Sequence, residues 1–129
     1  MPANLAVKSY RDLQVWRKAM ALVVESYSVA RLLPKSENYG LIGQIQRAAV
    51  SVPANIAEGH GREHLGDYLR HLSFANGSLM ELETHFLIAV ELGYVTREQS
   101  ATLMSMASEV GRMLNGLTRK LRGPLTPGT

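Results

Sequence analysis

The chain contains no cysteine, which excludes disulfides, thiolate metal ligands and cysteine nucleophiles. Aromatic residues make up only 6% of the 129 residues, and no apolar run approaches the roughly 20 residues that a membrane-spanning helix needs. The first ten residues, MPANLAVKSY, lack the basic segment and apolar stretch of a secretory signal. These absences favour a soluble protein of the cytoplasm.

Common catalytic and nucleotide-binding motifs are also missing. The sequence has no phosphate-binding loop, no G-x-G-x-x-G and no G-x-S-x-G. Histidines occur at positions 60, 64, 71 and 85, but none has the glutamate three residues earlier that a di-iron bundle requires. His71 and His85 share a helix face about 21 Å apart. We therefore expect no metal, no cofactor and no enzymatic activity.

Sustained helical periodicity is what the sequence does contain, with no alternating strand pattern. The S-x-x-D box at Ser9 and the T-x-x-Q box at Thr96 mark two helix starts. Apolar residues recur at spacings of three and four in four segments. The pattern predicts an all-α, up-down-up-down antiparallel four-helix bundle over residues 9–122, with a flexible arm at 1–8 and a flexible tail at 123–129.

The second helix has an unusual composition between positions 44 and 59, QIQRAAVSVPANIAEG. Pro53 inside it removes one backbone amide and predicts a kink. Polar residues here and on the third helix predict a hydrogen-bonded structural layer that fixes the register of the helices. Its predicted members are Arg47, Asn55, Glu58, Asn76 and Glu83. An enzyme or small-ligand-binding bundle that uses this layer is the alternative. Gly77 in mid-helix indicates a close approach of two helices.

The first helix carries two apolar rows on roughly opposite sides, one starting at Leu13 and the other at Val15. One row can face the domain's own core, and the other then needs a different cover, such as a second subunit. We assign the second row to that contact, together with outward-facing residues of the third helix. The predicted oligomer interface is Val15, Ala19, Leu22, Val29, Phe74 and Ile88.

Basic residues cluster near both chain termini, within a formal charge of +3. Antiparallel packing can bring the two clusters together as a surface for RNA, DNA or a nucleic-acid enzyme. They can equally be solvated cations, some of them favoured at a helix C-terminus. The predicted nucleic-acid-binding residues are Arg11, Arg17, Lys18, Arg119, Lys120 and Arg122.

Five segments together resemble the 23S ribosomal RNA intervening-sequence protein family, also called the four-helix bundle family. They are YRDLxVWxKA from Tyr10, ExYGL from Glu37, QxxRAAVSVPANIAEG from Gln44, ANGSLxELET from Ala75 and LGY from Leu92. The resemblance extends over roughly residues 9 to 121. It implies a four-helix bundle that assembles as a ring-like homopentamer and has no accepted catalytic residues. A related branch, the accessory variability proteins of diversity-generating retroelements, partners a reverse transcriptase and binds nucleic acid.

The function expected from these observations is a non-enzymatic, homo-oligomeric scaffold, pentameric by resemblance, that binds RNA, DNA or a nucleic-acid enzyme through a basic rim. The first alternative is the enzyme or small-ligand-binding bundle described above. The second is a protein-interaction adaptor without affinity for nucleic acid.

Overall fold

The computed structural model describes residues 7–123, which form four α-helices and no strand. The helices are α1 (Gln14–Ala30), α2 (Leu41–His60), α3 (Leu65–Glu91) and α4 (Arg97–Arg122). The predicted all-α class is therefore confirmed. The predictions for an arm and a tail fall largely on residues 1–6 and 124–129, outside the described range. Within 7–123, no helix is both long enough and apolar enough to cross a membrane.

Both predicted capping boxes are present. Ser9 Oγ accepts a hydrogen bond from the Arg11 amide at 3.0 Å, and an Asp12 carboxylate oxygen accepts one from the Ser9 amide at 3.1 Å. This box opens a short 3-10 turn at Tyr10–Asp12, so α1 begins later than the sequence indicates. Thr96 and Gln99 exchange the corresponding pair of bonds at the start of α4, at 2.8 and 3.0 Å. The two boxes satisfy backbone amides that a helix start leaves free.

The core is formed by one apolar face of each helix. Helix α1 contacts α2 and α4, and α3 contacts the same two, so α1 and α3 occupy opposite corners. The most extensive contact is that between α2 and α3. Leu22, Ile45, Leu82, Phe86 and Leu103 have no exposed surface. These residues come from all four helices, so each helix contributes to one shared core.

The part of the predicted interface that lies on α1 is wrong. Val15 and Val29 are 4% exposed, and Ala19 and Leu22 are fully buried in the chain's own core. In the other row, which starts at Leu13, Met20 is 42% exposed. Periodicity alone would permit that row as the core face equally well. Both rows are apolar, so periodicity cannot decide how the helix is rotated about its axis. Packing against α2 and α4 decides it.

The close helix approach occurs at Gly59 and not at Gly77, where we expected it. A Cβ at Gly59 would lie 2.7 Å from the Cβ of His71 and 3.2 Å from the carbonyl oxygen of Tyr68. Gly77 is exposed, and a Cβ there would meet nothing within 4 Å. The missing side chain at Gly59 is therefore what lets the end of α2 and the start of α3 lie against each other.

Pro53 is buried inside α2, which continues from Leu41 to His60. Its ring nitrogen has no hydrogen to donate to the carbonyl of Ala49. The bend that the sequence predicts at this position stays a prediction.

Candidate functional site

One end of the molecule gathers the start of α1, the end of α2, the start of α3 and the end of α4. A pocket of about 630 Å³, the end pocket, has lining residues from all of these segments. Its lining residues are Val7, Leu13, His60, Tyr68, Leu117, Lys120 and Leu121. Nearby, the Lys18 ammonium lies 3.3 Å from the Glu109 carboxylate and joins α1 to α4. We call the residues 7–18, 58–71 and 109–123 the basic end.

The basic end concentrates the positive charge of the chain. It holds ten of the fourteen lysines and arginines but five of the eleven acidic residues, a formal charge of +5 with histidine neutral. The rest of the chain has four basic and six acidic residues and a formal charge of −2. The ten basic residues are Lys8, Arg11, Arg17, Lys18, Arg62, Arg70, Arg112, Arg119, Lys120 and Arg122. The modest net charge therefore conceals a strong separation of charge.

All six residues predicted to bind nucleic acid lie at the basic end and are exposed. Two of them have acidic partners: the Arg17 guanidinium lies 3.9 Å from the Asp12 carboxylate, and Lys18 pairs with Glu109. Among residues 7–123, the other four have no carboxylate within 4 Å. The two terminal clusters thus meet in space, and their binding to nucleic acid stays a prediction.

Sequence reasoning missed the basic residues that the connection between α2 and α3 adds to this end. Arg62 lies 3.9 Å from the exposed Glu58 carboxylate, and Arg70 lies 2.8 Å from that of Asp67. A signal for them exists. In a bundle of four alternating helices, the second connection lies at the same end as both termini.

The turn before α1 is held in place by the carboxylate of Asp12. It accepts the backbone amides of Lys8 and Ser9 at 2.9 and 3.1 Å. These two hydrogen bonds, with a smaller contribution from the charge of Arg17, lower the pKa of Asp12 below its ordinary value of 3.8. Arg17 Nε also donates to the carbonyl oxygen of Arg11 at 2.9 Å. The turn that carries Lys8 and Arg11 is thereby fixed against α1.

A chain of polar side chains, the polar seam, joins α2 to α3. Ser78 Oγ donates to Ser51 Oγ at 2.8 Å, and Asn55 Nδ2 donates to the carbonyl oxygen of Ser51 at 2.9 Å. Nδ1 of the buried His71 lies 3.1 Å from Asn55 Oδ1 and 3.3 Å from a Glu58 carboxylate oxygen. Both neighbours of Nδ1 are acceptors, so this nitrogen carries a proton. The seam satisfies polar groups in the contact between α2 and α3.

The predicted polar layer of five residues is wrong as a set. Asn55 belongs to the seam, but the Glu58 side chain is 56% exposed at its edge, and Arg47 is exposed. Asn76 and Glu83 are partly buried and take part in no side-chain hydrogen bond or ion pair within residues 7–123. Long charged side chains reach water from the helix surface, so the contact itself is made by small polar groups. Sequence reasoning did not select the two serines, although short side chains at a close contact were the available signal.

An open groove of about 480 Å³ runs beside the seam between α2 and α3. Its lining residues are Gln44, Arg47, Ala48, Ser51, Ser78, Glu81 and His85. Guanidinium nitrogen Nη1 of Arg47 lies 3.2 Å from where a Cβ on Gly43 would be, so the glycine leaves room for this side chain. His85 Nδ1 is buried and has no hydrogen-bond partner within residues 7–123. The groove gives the ligand-binding alternative a definite location.

The four histidines do not gather into a cluster. His60 contacts Tyr68 edge to face at a centroid distance of 5.8 Å, and His71 contacts Phe74 in the same way at 5.6 Å. Across residues 7–123, no three histidine, aspartate or glutamate side chains lie close enough together to share a metal ion. His60 and His71 pack against aromatic rings, and His71 is also part of the polar seam.

These features define a class: an all-α protein with four packed helices, a polar seam between two of them and a basic end. A family model described as the 23S rRNA-intervening sequence protein matches residues 11–116. The chain belongs to this family. A crystal structure of a protein of unknown function, from the S23 ribosomal protein family in Bacteroides thetaiotaomicron, is similar in fold, with a TM-score of 0.75. The two sequences are 23% identical over 81% of this chain and 98% of that one. A comparison with curated proteins finds no match.

Proposed function

We propose that this protein is a non-enzymatic, homo-oligomeric scaffold whose basic end binds RNA or DNA, alone or together with an enzyme that acts on nucleic acid. The observation that supports the proposal is the separation of charge, +5 at the basic end against −2 elsewhere. Like charges held on one surface repel one another, so such a surface favours a polyanion that neutralises them.

Of the six predicted nucleic-acid-binding residues, the four without acidic partners are the ones that bind phosphate in this proposal: Arg11, Arg119, Lys120 and Arg122. Each neutralised phosphate releases counterions, so the affinity falls as salt rises. Four such contacts to duplex DNA give a slope of log K against log salt of about −3 to −4. Fluorescence anisotropy with labelled RNA and DNA at several salt concentrations measures this slope.

No binding at low salt to either nucleic acid would overturn the proposal. If a co-purification from the native cell then recovered a specific protein partner and no nucleic acid, the adaptor alternative would replace it.

The helices alternate in direction in this proposal, as an up-down-up-down bundle. Three contacts support that order: Glu37 with Tyr94, Ser51 with Ser78, and Asn55 with His71. From one contact to the next, the residue number in the first partner rises while that in the second partner falls. This is expected when α2 and α3 run antiparallel. This order puts the start of α1, the end of α4 and the connection between α2 and α3 at the basic end.

Assembly of several copies remains part of the proposal, with the α1 contact moved to the exposed face of that helix. Val24 is 70% exposed on α1, and Phe74 and Ile88 are 51% and 42% exposed on α3. Helices α1 and α3 occupy opposite corners, so the α1 face of one copy can contact the α3 face of the next. Such a contact between unlike faces closes into a ring when the rotation between copies allows it. A ring of five is the number that the family resemblance implies.

Sedimentation of wild type and Val24→Glu tests the assembly. We expect the wild type to be oligomeric and the variant to shift to smaller species, because the new carboxylate would be buried in the subunit contact. An exposed site on α4, which the proposed contact leaves out, is the matched control: Ser105→Glu. A monomeric wild type would overturn the proposal of a ring.

The groove beside the polar seam supports a second candidate function, binding of a small ligand. Arg47, Gln44 and Glu81 reach it from two helices, so it offers both donors and an acceptor to one molecule. A panel of small carboxylates and phosphates, screened for an increase in melting temperature, tests this function, because a ligand that binds only the folded state stabilises it. Loss of the increase in Arg47→Ala would locate the ligand in the groove.

A further inference from the structure

We propose that the end pocket takes an unstacked base of single-stranded nucleic acid, while the surrounding basic residues hold the adjacent phosphates. This inference rests on the proposed function and specifies its ligand: a single strand and not a duplex. It begins from a feature that phosphate binding alone does not explain, an apolar depression in the middle of a basic surface.

The lining of the end pocket has the chemistry that a nucleobase requires. Its floor and walls include the aliphatic side chains of Leu13, Leu117 and Leu121, which suit the flat faces of a base. Tyr68 and His60 supply an aromatic corner, with ring centroids 5.8 Å apart and planes at 86°. Aromatic rings stack on any base, because every base has a π face. The volume of about 630 Å³ lies within the range of pockets that enclose small molecules.

The polar groups of the pocket fit the edge of a base and its phosphate. Burial raises the pKa of the half-buried Tyr68 phenol above its ordinary value of 10.0, so its hydroxyl remains protonated and able to donate. Lys120 lines the pocket and is exposed, and Arg119 and Arg122 are its neighbours at the end of α4. Donors within the pocket and cations next to it are the arrangement that binds a base and its backbone together.

The geometry favours a single strand because of where a duplex keeps its apolar surface. In a duplex the bases are stacked inside and only phosphates, sugars and groove edges reach a protein. A single strand can turn a base outwards at little energetic expense and stack it on an aromatic side chain. A concave apolar pocket surrounded by cations is complementary to the second ligand.

The test compares three fluorescein-labelled ligands of equal length by anisotropy at low salt: a single strand, the same backbone without bases, and a duplex. We expect the single strand to bind roughly tenfold or more tightly than the strand without bases, because stacking adds to phosphate contacts. Tyr68→Ala should reduce this ratio towards one and leave the affinity for the strand without bases unchanged. Tyr39→Ala is the matched control, because that tyrosine is fully exposed near the start of α2.

A second variant and a displacement measurement keep the inference testable if Tyr68→Ala fails to fold. His60→Leu removes the other ring of the aromatic corner and should have the same effect. A neutral apolar dye, N-phenyl-1-naphthylamine, should bind the pocket and be displaced by the single strand but not by the strand without bases.

Equal affinities for the strands with and without bases would overturn the inference and leave phosphate binding intact. If the dye stays bound when the single strand is present at a saturating concentration, the inference is overturned as well. The pocket would then be assigned to an apolar occupant, such as part of a protein chain. If none of the three ligands binds at low salt, the proposed function fails as well. The two failures are thus distinguishable.

Discussion

The two ends of this molecule use charge in opposite ways. At the end away from the basic end, the Glu37 carboxylate accepts the amide of Leu41 at 3.0 Å and the hydroxyl of Tyr94 at 2.9 Å. One carboxylate therefore caps α2 and joins the connection before it to the connection after α3. At the basic end all ten basic residues are exposed, and four of the six predicted binding residues have no acidic partner within residues 7–123.

The difference shows which end is built for the fold and which is available to a ligand. A carboxylate that accepts two hydrogen bonds from its own chain has its interactions satisfied internally. Exposed cations without partners add little to stability and repel one another. The five predictions below test this comparison.

The largest effect is expected from reversing charge at the basic end. The triple variant Arg119→Glu, Lys120→Glu, Arg122→Glu should weaken binding to RNA or DNA at least about tenfold, because it removes phosphate contacts and adds repulsion. Anisotropy measures the affinity, and circular dichroism checks that α4 still folds. Reversal of Arg31, Lys35 and Arg97, which are exposed and lie away from the basic end, is the control and should change affinity little. Equal losses in both triples would contradict the comparison.

The next effect concerns the packing that positions the basic end. Gly59→Ala should destabilise the protein by about 1 to 3 kcal/mol, because the new Cβ would lie 2.7 Å from that of His71. The loss should appear even though alanine favours the helix by roughly 1 kcal/mol over glycine. Chemical denaturation followed by circular dichroism gives the free energy of unfolding. An unchanged or higher stability would show that α3 can move away freely.

Gly77→Ala is the matched substitution at an open position of α3. With nothing within 4 Å of the new Cβ, only the gain in helix propensity remains. We expect the free energy of unfolding to rise by roughly 0.5 to 1 kcal/mol. A clear destabilisation would indicate that this surface is covered in the assembled protein.

The smallest effect is expected at the Glu37 end, and it depends on pH. Hydrogen bonds from the Leu41 amide and then the Tyr94 hydroxyl lower the pKa of Glu37 below its ordinary 4.5. The stabilisation is therefore complete above that value and is lost as the pH falls through the lowered pKa. Glu37→Gln should be less stable than wild type at neutral pH, and the difference should shrink on acidification. Thermal melts from pH 7 to pH 3 measure it.

Tyr94→Phe removes the same contact from the other side. The hydrogen bond to Glu37 raises the pKa of Tyr94 above its ordinary 10.0. Its stabilisation is complete below that value and is lost as the pH rises through the raised pKa. A difference from wild type that did not change between pH 9 and pH 12 would count against this role of the hydroxyl.

Local signals in the sequence were sufficient for the helices and for part of the candidate site. The capping boxes at Ser9 and Thr96 depend on residues within three positions of each other, so they can be found without the fold. The basic clusters near the termini can be found in the same way. Arg62 and Arg70 needed one further step, because only the alternation of the four helices puts the connection between α2 and α3 beside those clusters.

By itself, the sequence determined that four helices form, that capping boxes start α4 and the turn before α1, and that basic residues cluster near both ends of the chain. Those properties follow from hydrogen bonds and periodicity over a few neighbouring residues. Only the tertiary structure decided that α1 buries the row of Val15 and Leu22, and that Gly59 makes the close contact. It also decided that two serines and a histidine form the polar seam. Each of these choices depends on how one helix is rotated and shifted against another, which is fixed by packing between residues distant in sequence.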